Sequence, residues 1–309
     1  MPKGTYKLCV EKAYLITESY LQTEGFPEIL RQAKAFAHVL ENIPIWIDDY
    51  ELIVGHGASK PGGIELDPFL GTWKIEDIKG VEQEGLITVD EKELTKINEM
   101  GKYWKTKNIQ YKAQFAWTDS LFNFMKVGVS LPPMRSKDEE RGAYAGSGLA
   151  IYSGLHLAVP NYDKLLNLGL THFIKEAEAE LENIRLFSKD DIEKKCFLEA
   201  VIISLNAIIR LAHRYAKLAE EMASKENDPL RKKELERIAE TCRWVPANPA
   251  RTFYEAIQSF WFIYLVCNPS PTIGMGRFDQ YMYPFYKRDK DSGRITDEEV
   301  LALLCELRI

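Results

Sequence analysis

The sequence predicts a mostly helical protein, and three observations carry that reading. From Asp190 to Met222, the residues Phe197, Val201, Leu205, Ile208, Ala212, Tyr215 and Leu218 recur at steps of three or four, the period of one helix face. At about 1.5 Å per residue this run makes a rod of about 45 Å. Thr252 to Glu255 and Thr296 to Glu299 each place a Thr three residues before a Glu, the reciprocal cap that opens a helix. Only Ile43 to Ile53, ending in Leu52-Ile53-Val54, alternates as a short strand would.

In chain order, Thr17 to Asn42 is predicted helical. Thr23, Phe26 and Pro27 mark an entry, and Ile29, Ala33, Phe36, Ala37 and Leu40 recur behind it. After the strand, Gly55 to Gly63 is a glycine-rich loop. It lacks both common phosphate-loop orders and is interrupted by Pro61, so an ordinary loop is expected. Glu65 to Trp73 reads as loop. Asp90 to Trp104 and Phe115 to Met125 read as helices, Arg135 to Arg141 as a charged excursion, and Gly142 to Gly154 as a small-residue segment that can be approached closely. Asn161 to Leu186 is predicted to be one amphipathic helix. Pro229 to Cys242 forms a shorter charged helix, stopped by Pro246 and Pro249, whose Arg231-Lys232-Lys233 run is expected on a solvated face. Phe253, Ile257 and Trp261 share one face of the next helix, and Thr296 begins a last one. Residues 1–309 are read as a single unit.

Composition narrows the function classes. With 46% hydrophobic and 28% charged residues, the 309-residue chain has the make-up of a soluble globular protein. A net charge of -6 argues against nucleic acid as partner. No uninterrupted stretch reaches the ~18 apolar residues of a membrane span, so no membrane partner is expected. The five cysteines are scattered, with no CxxC pair, as in reduced thiols rather than a disulfide or zinc framework. No metal or bound cofactor is expected. Five scattered histidines read as satisfied structural residues, and Asp48-Asp49 and Asp190-Asp191 as turn and cap residues rather than acid–base pairs.

The stretch Asn268 to Tyr286 stands apart. It holds five aromatics, three prolines and two glycines, too many rings for a surface loop and too many prolines for a solvent-facing helix. It reads as a buried apolar segment entering a tight turn and leaving by a helix start. Such irregular backbone often faces an enzyme cavity. A structural corner, with Arg277 and Asp279 paired and the rings as packing, explains the same residues.

Several segments in order resemble the glycyl radical enzymes, the pyruvate formate-lyase-like superfamily. These are Thr17-Glu18-Ser19-Tyr20 with Glu24, Pro27 and Ile29-Leu30-Arg31; Glu51-Leu52-Ile53-Val54-Gly55; Pro160-Asn161-Tyr162-Asp163-Lys164-Leu165-Leu166 with Gly169; Pro249 to Gln258; and Gly276-Arg277-Phe278-Asp279-Gln280-Tyr281. The resemblance implies an α/β fold, the helix-rich first half of a ten-stranded α/β barrel. It implies a lyase of decarboxylase or dehydratase type, or a formate acetyltransferase-like enzyme, acting on a small-molecule substrate. It also implies an anaerobic, cytoplasmic homodimer. A radical-SAM activating enzyme would install a protein glycyl radical, which passes to a cysteine thiyl. In that family the cysteine loop and the glycine loop lie in the second half and near the C-terminus, so no catalytic residue is expected in this chain and the chain alone is expected to be inactive. Cys9-Val10-Glu11 has the letters of the family's Cys-x-Glu turn at the wrong end. The substrate-binding residues implied are Tyr152, Ser153, His156, Thr272, Ile273 and Phe278. The dehydratase-like members carry a His-Ser pair shortly before this Gly-Arg-Phe-Asp-Gln-Tyr run. The corresponding stretch here, Pro271-Thr272-Ile273-Gly274-Met275, lacks the His and keeps Thr272 as its one hydroxyl, which suits an apolar or arylacetate substrate better than a diol. A non-catalytic helical scaffold, or half of a split enzyme that needs a partner polypeptide, is the competing class.

Overall fold

The computed structural model describes residues 6–69, 75–108, 111–112, 159–267 and 274–307. Their elements are β1 (Tyr6–Cys9), α1 (Glu11–Gln22), α2 (Glu28–Asn42), β2 (Gly63–Glu65), α3 (Ile75–Gln83), β3 (Ile87–Thr88), α4 (Glu91–Trp104), α5 (Tyr162–Leu168), α6 (Leu170–Glu182), α7 (Lys189–Ala223), α8 (Pro229–Trp244), α9 (Phe253–Cys267), α10 (Phe278–Asp291) and α11 (Asp297–Glu306). The helix expected over Phe115 to Met125, the Arg135 to Arg141 excursion and the Gly142 to Gly154 segment lie outside the described residues.

The long periodic run folds as one helix of 35 residues. Ser188 and Asp191 form its capping box, so the second Asp of the Asp190-Asp191 pair caps, as expected. α7 packs on α2, α6 and α8. Its buried face is largely alanine (Ala207, Ala212, Ala216, Ala219, Ala223) around Ile208, Leu211 and Tyr215. Small side chains let neighbouring helices approach closely. The predicted face is correct in its second half only, because Phe197 is 54% exposed. In that first half Leu198 and Ala200 are still buried, and Lys194 pairs with Glu180 of α6 at 2.9 Å. By length and composition α7 could cross a membrane; 28% of its most apolar window is buried.

Helix α2 separates two cores. Ala37 and Leu40 face one cluster with α5 and α7 to α11, while Ala35 and Val39 face a second with β1, α1, α3 and α4. That is the 3.6-residue period used on both sides. In the second core Trp104, 1% exposed, packs on Tyr20 and Phe69 and donates to the Thr17 hydroxyl at 2.8 Å.

The predicted strand over 52–54 does not form. Residues 43–56 run as irregular backbone whose polar groups are met by side chains instead. Gln258, fully buried, accepts from Val54 N at 2.9 Å and donates to Val54 O at 2.8 Å. Tyr254 donates to Leu52 O, Trp261 to Gly55 O, and Tyr215 accepts from His56 N. Arg214 donates to Leu40 O and Ile43 O, and Arg231 to Asp48 O and Glu51 O. Buried backbone must be paired, and here helix side chains replace a strand ladder. This also corrects Arg231, which is 8% exposed rather than solvated; Lys232 and Lys233 are exposed, as expected.

The strands lie elsewhere. Among the described residues one sheet forms, in order β2-β1-β3 and parallel throughout, with Leu8 opposite Ile64 and Lys7 opposite Thr88. Strands of two to four residues are too short to show alternation, so none was legible, and Gly63–Glu65 replaces the start of an expected loop. The helix predicted over Asn161 to Leu186 is two helices. Gly169 breaks it with φ +74°. The next residues donate sideways, Leu170 N to Pro246 O and Thr171 N to Ala247 O, while Ala250 N donates to Leu166 O. A Cβ on Gly169 would stand 2.5 Å from Ala247 O, so only glycine fits this crossing.

Candidate functional site

Two of the stretches singled out from sequence meet at one place. α9 is buried along most of its length and ends at Cys267; α10 begins at Phe278 after Gly276, whose φ is +62°. Val159, just before α5, packs into this junction. A Cβ on Gly274 would lie 3.0 Å, and one on Gly276 3.1 Å, from Val159 methyl carbons. The two glycines therefore admit the segment that leads into α5.

Five rings wall the junction. Tyr162 lies 4.9 Å from Phe260 and stacks on Tyr281 at 5.3 Å. Phe278 meets Phe260 edge-on at 5.1 Å, and Phe260 stacks on Tyr264 at 5.6 Å. Such spacings are those of favourable ring pairs. Tyr281 is tied down by its hydroxyl, which donates to Met275 O at 2.7 Å. Burial pushes its phenol up. The Cys267 thiol is also raised by burial.

The Tyr162 hydroxyl has no such tie. The residue is 2% exposed, and among the described residues its oxygen is buried with no hydrogen-bond partner. Burial is the main cause that raises its ionisation, with Cys267 and Tyr264 adding to it. It therefore stays a neutral O–H at any physiological pH and can donate to an acceptor.

Arg277 and Asp279 form the pair the sequence suggested. Nη2 lies 2.8 Å from Oδ2, with both side chains mostly exposed. The hydrogen bond between them holds the Asp279 carboxyl low and the Arg277 guanidinium high. Pro284 sits inside α10, so the prolines of this stretch do not all lie outside helices. The Thr252 cap is also modified. Its hydroxyl accepts from Glu255 N at 3.1 Å, but the Glu255 carboxylate reaches Arg251 N and the Arg251 side chain.

Of the substrate-wall residues expected, Phe278 is in the ring cluster. Tyr152, Ser153, His156, Thr272 and Ile273 lie outside the described residues. Sequence reasoning quoted Tyr162 within a motif and gave it no role; a tyrosine directly after the turn before α5 was the available signal.

A second polar cluster lies at the glycine-rich loop. Ser59 N donates to Glu65 at 2.9 Å, the Ser59 hydroxyl to Glu11 at 3.0 Å, and Lys60 Nζ lies 2.5 Å from Glu93. The donors a phosphate would need are met by the protein's own carboxylates. Cys9, Glu11 and Glu65 place ligand atoms within 4.8 Å of one another. Both Glu65 oxygens already accept backbone N–H groups, and burial raises the Cys9 thiol, away from the thiolate a metal needs. Cys9 closes β1 rather than standing at a loop tip. The described histidines with contacts pair with carboxylates: His38 with Glu18, His172 with Glu176, and His56, which also stacks on Trp46, with Glu51.

A family model described as pyruvate formate lyase-like matches residues 1–309. An isethionate sulfite-lyase of Oleidesulfovibrio alaskensis is 36% identical over 308 residues, spanning 96% of this chain and 36% of that protein. The solved structure on 1,2-propanediol dehydration in Roseburia inulinivorans superposes with a TM-score of 0.85 at 34% identity, over 98% of this chain and 35% of the other. A glycyl radical enzyme from Archaeoglobus fulgidus superposes with a TM-score of 0.83 at 35% identity, over 99% and 38%. The chain thus spans about a third of the length of the relatives it matches.

Proposed function

We propose, for a chain that belongs to the pyruvate formate lyase-like family, that it is the N-terminal portion of a glycyl radical lyase. The observation that carries this is the match of the whole chain to about a third of proteins named as lyases and glycyl radical enzymes. The helices here would form the outer layer and part of the wall of a ten-stranded barrel. A glycyl radical, placed by a radical-SAM activating enzyme, would supply hydrogen abstraction through a thiyl cysteine in the part of the parent protein beyond this match.

This chain's own contribution is to bind and enclose. The ring-walled junction at Phe260, Phe278 and Tyr281 excludes water from one side of a small organic substrate. Tyr152, Ser153, His156, Thr272 and Ile273 would complete that wall. The apolar rings suit a substrate with an apolar part, such as an arylacetate, more than a plain diol. A homodimer in an anaerobic cytoplasm would fit this chemistry.

One observation favours a second polypeptide, or the rest of a longer one, against this chain. Phe187 is 86%, Leu301 63% and Phe197 54% exposed, apolar surface that water does not favour. Intact mass of the native protein from source cells, under denaturing conditions, separates these cases. A mass about two to three times that of this chain supports the single-parent reading. This chain's own mass, with a co-purifying second polypeptide, supports a split enzyme; this chain's mass alone refutes the radical-enzyme reading. Activated parent protein is then assayed on isethionate, 1,2-propanediol and phenylacetate. Turnover of none of them, with a glycyl radical visible by electron paramagnetic resonance, excludes these substrate classes.

A further inference from the structure

Tyr162 presents a buried hydroxyl with no partner among the described residues, beside Phe260 and Tyr281 in the ring cluster at the start of α10. A buried donor without an acceptor is unfavourable, and other polar groups here are met. Tyr281 donates to Met275 O, and Tyr254, further along the same core, donates to Leu52 O. An unmet O–H among satisfied ones marks a position where the acceptor comes from a bound molecule.

The chemistry of that molecule follows from what surrounds the hydroxyl. The neighbours are the rings of Phe260 and Tyr281, the thiol of Cys267 and the phenol of Tyr264. No cation acts on Tyr162 among the described residues; Arg277 is engaged with Asp279 at the surface. A carboxylate or sulfonate buried against these rings would lack a counter-charge, which is costly. A neutral hydroxyl or carbonyl oxygen would not.

We infer that Tyr162 is a substrate-binding residue, whose hydroxyl donates to an uncharged oxygen on the apolar portion of a small organic ligand. The charged end of such a substrate would then lie away from this wall. The inference rests on the reading that this junction lines the substrate cavity.

Two probes with one carbon frame test it on the native protein as isolated at its full mass: 2-phenylethanol, which is neutral, and phenylacetate, which is anionic. Binding is read by calorimetry, and stability by thermal melting without ligand. The expected result is that 2-phenylethanol binds at least tenfold more tightly than phenylacetate. Tyr162→Phe then weakens the alcohol about tenfold, while the melting temperature of the free protein stays the same or rises, because the unmet hydroxyl is gone. Phe278→Leu, which shortens the same wall, weakens both probes alike. A Tyr162→Phe protein that binds the alcohol as before, or that melts earlier, overturns the inference, the latter because the hydroxyl would then serve the fold. Equal binding of the two probes, or binding of neither, overturns it too. None of these outcomes touches the radical-enzyme reading, which stands or falls on the intact mass.

Discussion

Substituting Gln258 with Leu tests how the irregular segment over 43–56 is held. The Gln258 amide is fully buried and makes two hydrogen bonds to one residue, accepting from Val54 N at 2.9 Å and donating to Val54 O at 2.8 Å. Leu fills a similar volume, so the change removes the bonds and leaves little cavity. It strands a buried N–H and a buried C=O on Val54, itself 0% exposed. Each stranded group costs about 1–3 kcal/mol, so the pair costs about 2–6 kcal/mol. Urea denaturation followed by circular dichroism should show the midpoint falling with the slope unchanged. Gln258→Glu is the informative companion. Its carboxylate still accepts from Val54 N but has nothing to donate to Val54 O, and burial raises its ionisation. Its stability should therefore recover as pH falls and the carboxyl regains a proton. A loss below about 1 kcal/mol for Gln258→Leu would refute the account, because it would mean that water or another group reaches Val54.

Gly169→Ala should destabilise by at least about 2 kcal/mol, since φ +74° disfavours a side chain and its Cβ would meet Ala247 O at 2.5 Å; thermal melting checks it. Arg231→Met should cost about 2–4 kcal/mol by unpairing Asp48 O and Glu51 O, with Lys232→Met as a surface control that moves the midpoint little. Alkaline pH should destabilise the chain. Burial raises the phenols of Tyr20, Tyr162, Tyr215, Tyr254 and Tyr281 above their ordinary value. The unfolded chain releases those protons first, near pH 10, so stability is complete below that pH and falls above it. Denaturation midpoints measured between pH 8 and 11 should be flat and then drop; a flat profile throughout would contradict the burial of these hydroxyls.

The sequence by itself determined those helices that carry their own signals. The helix expected over Thr17 to Asn42 is instead parts of α1 and α2, broken at residues 23–27, and α3 was not legible. The α7 run, the Asp90 to Trp104 segment and the Thr296 cap all fold where periodicity and capping chemistry put them. It also paired Arg277 with Asp279, two residues apart and able to meet without any other element. Tertiary structure decided the rest, wherever a residue's partner lies far along the chain. Leu52-Ile53-Val54 has the letters of a strand, but its hydrogen bonds go to Tyr254 and Gln258 about two hundred residues later, so no ladder forms. Gly169 looks like an interior helix residue until the backbone at Ala247 crosses it. Arg231 looks solvated until the irregular segment supplies carbonyls for it. The unmet hydroxyl of Tyr162 is of the same kind. A sequence shows that a donor exists, while only the packed chain shows that nothing among its described residues accepts.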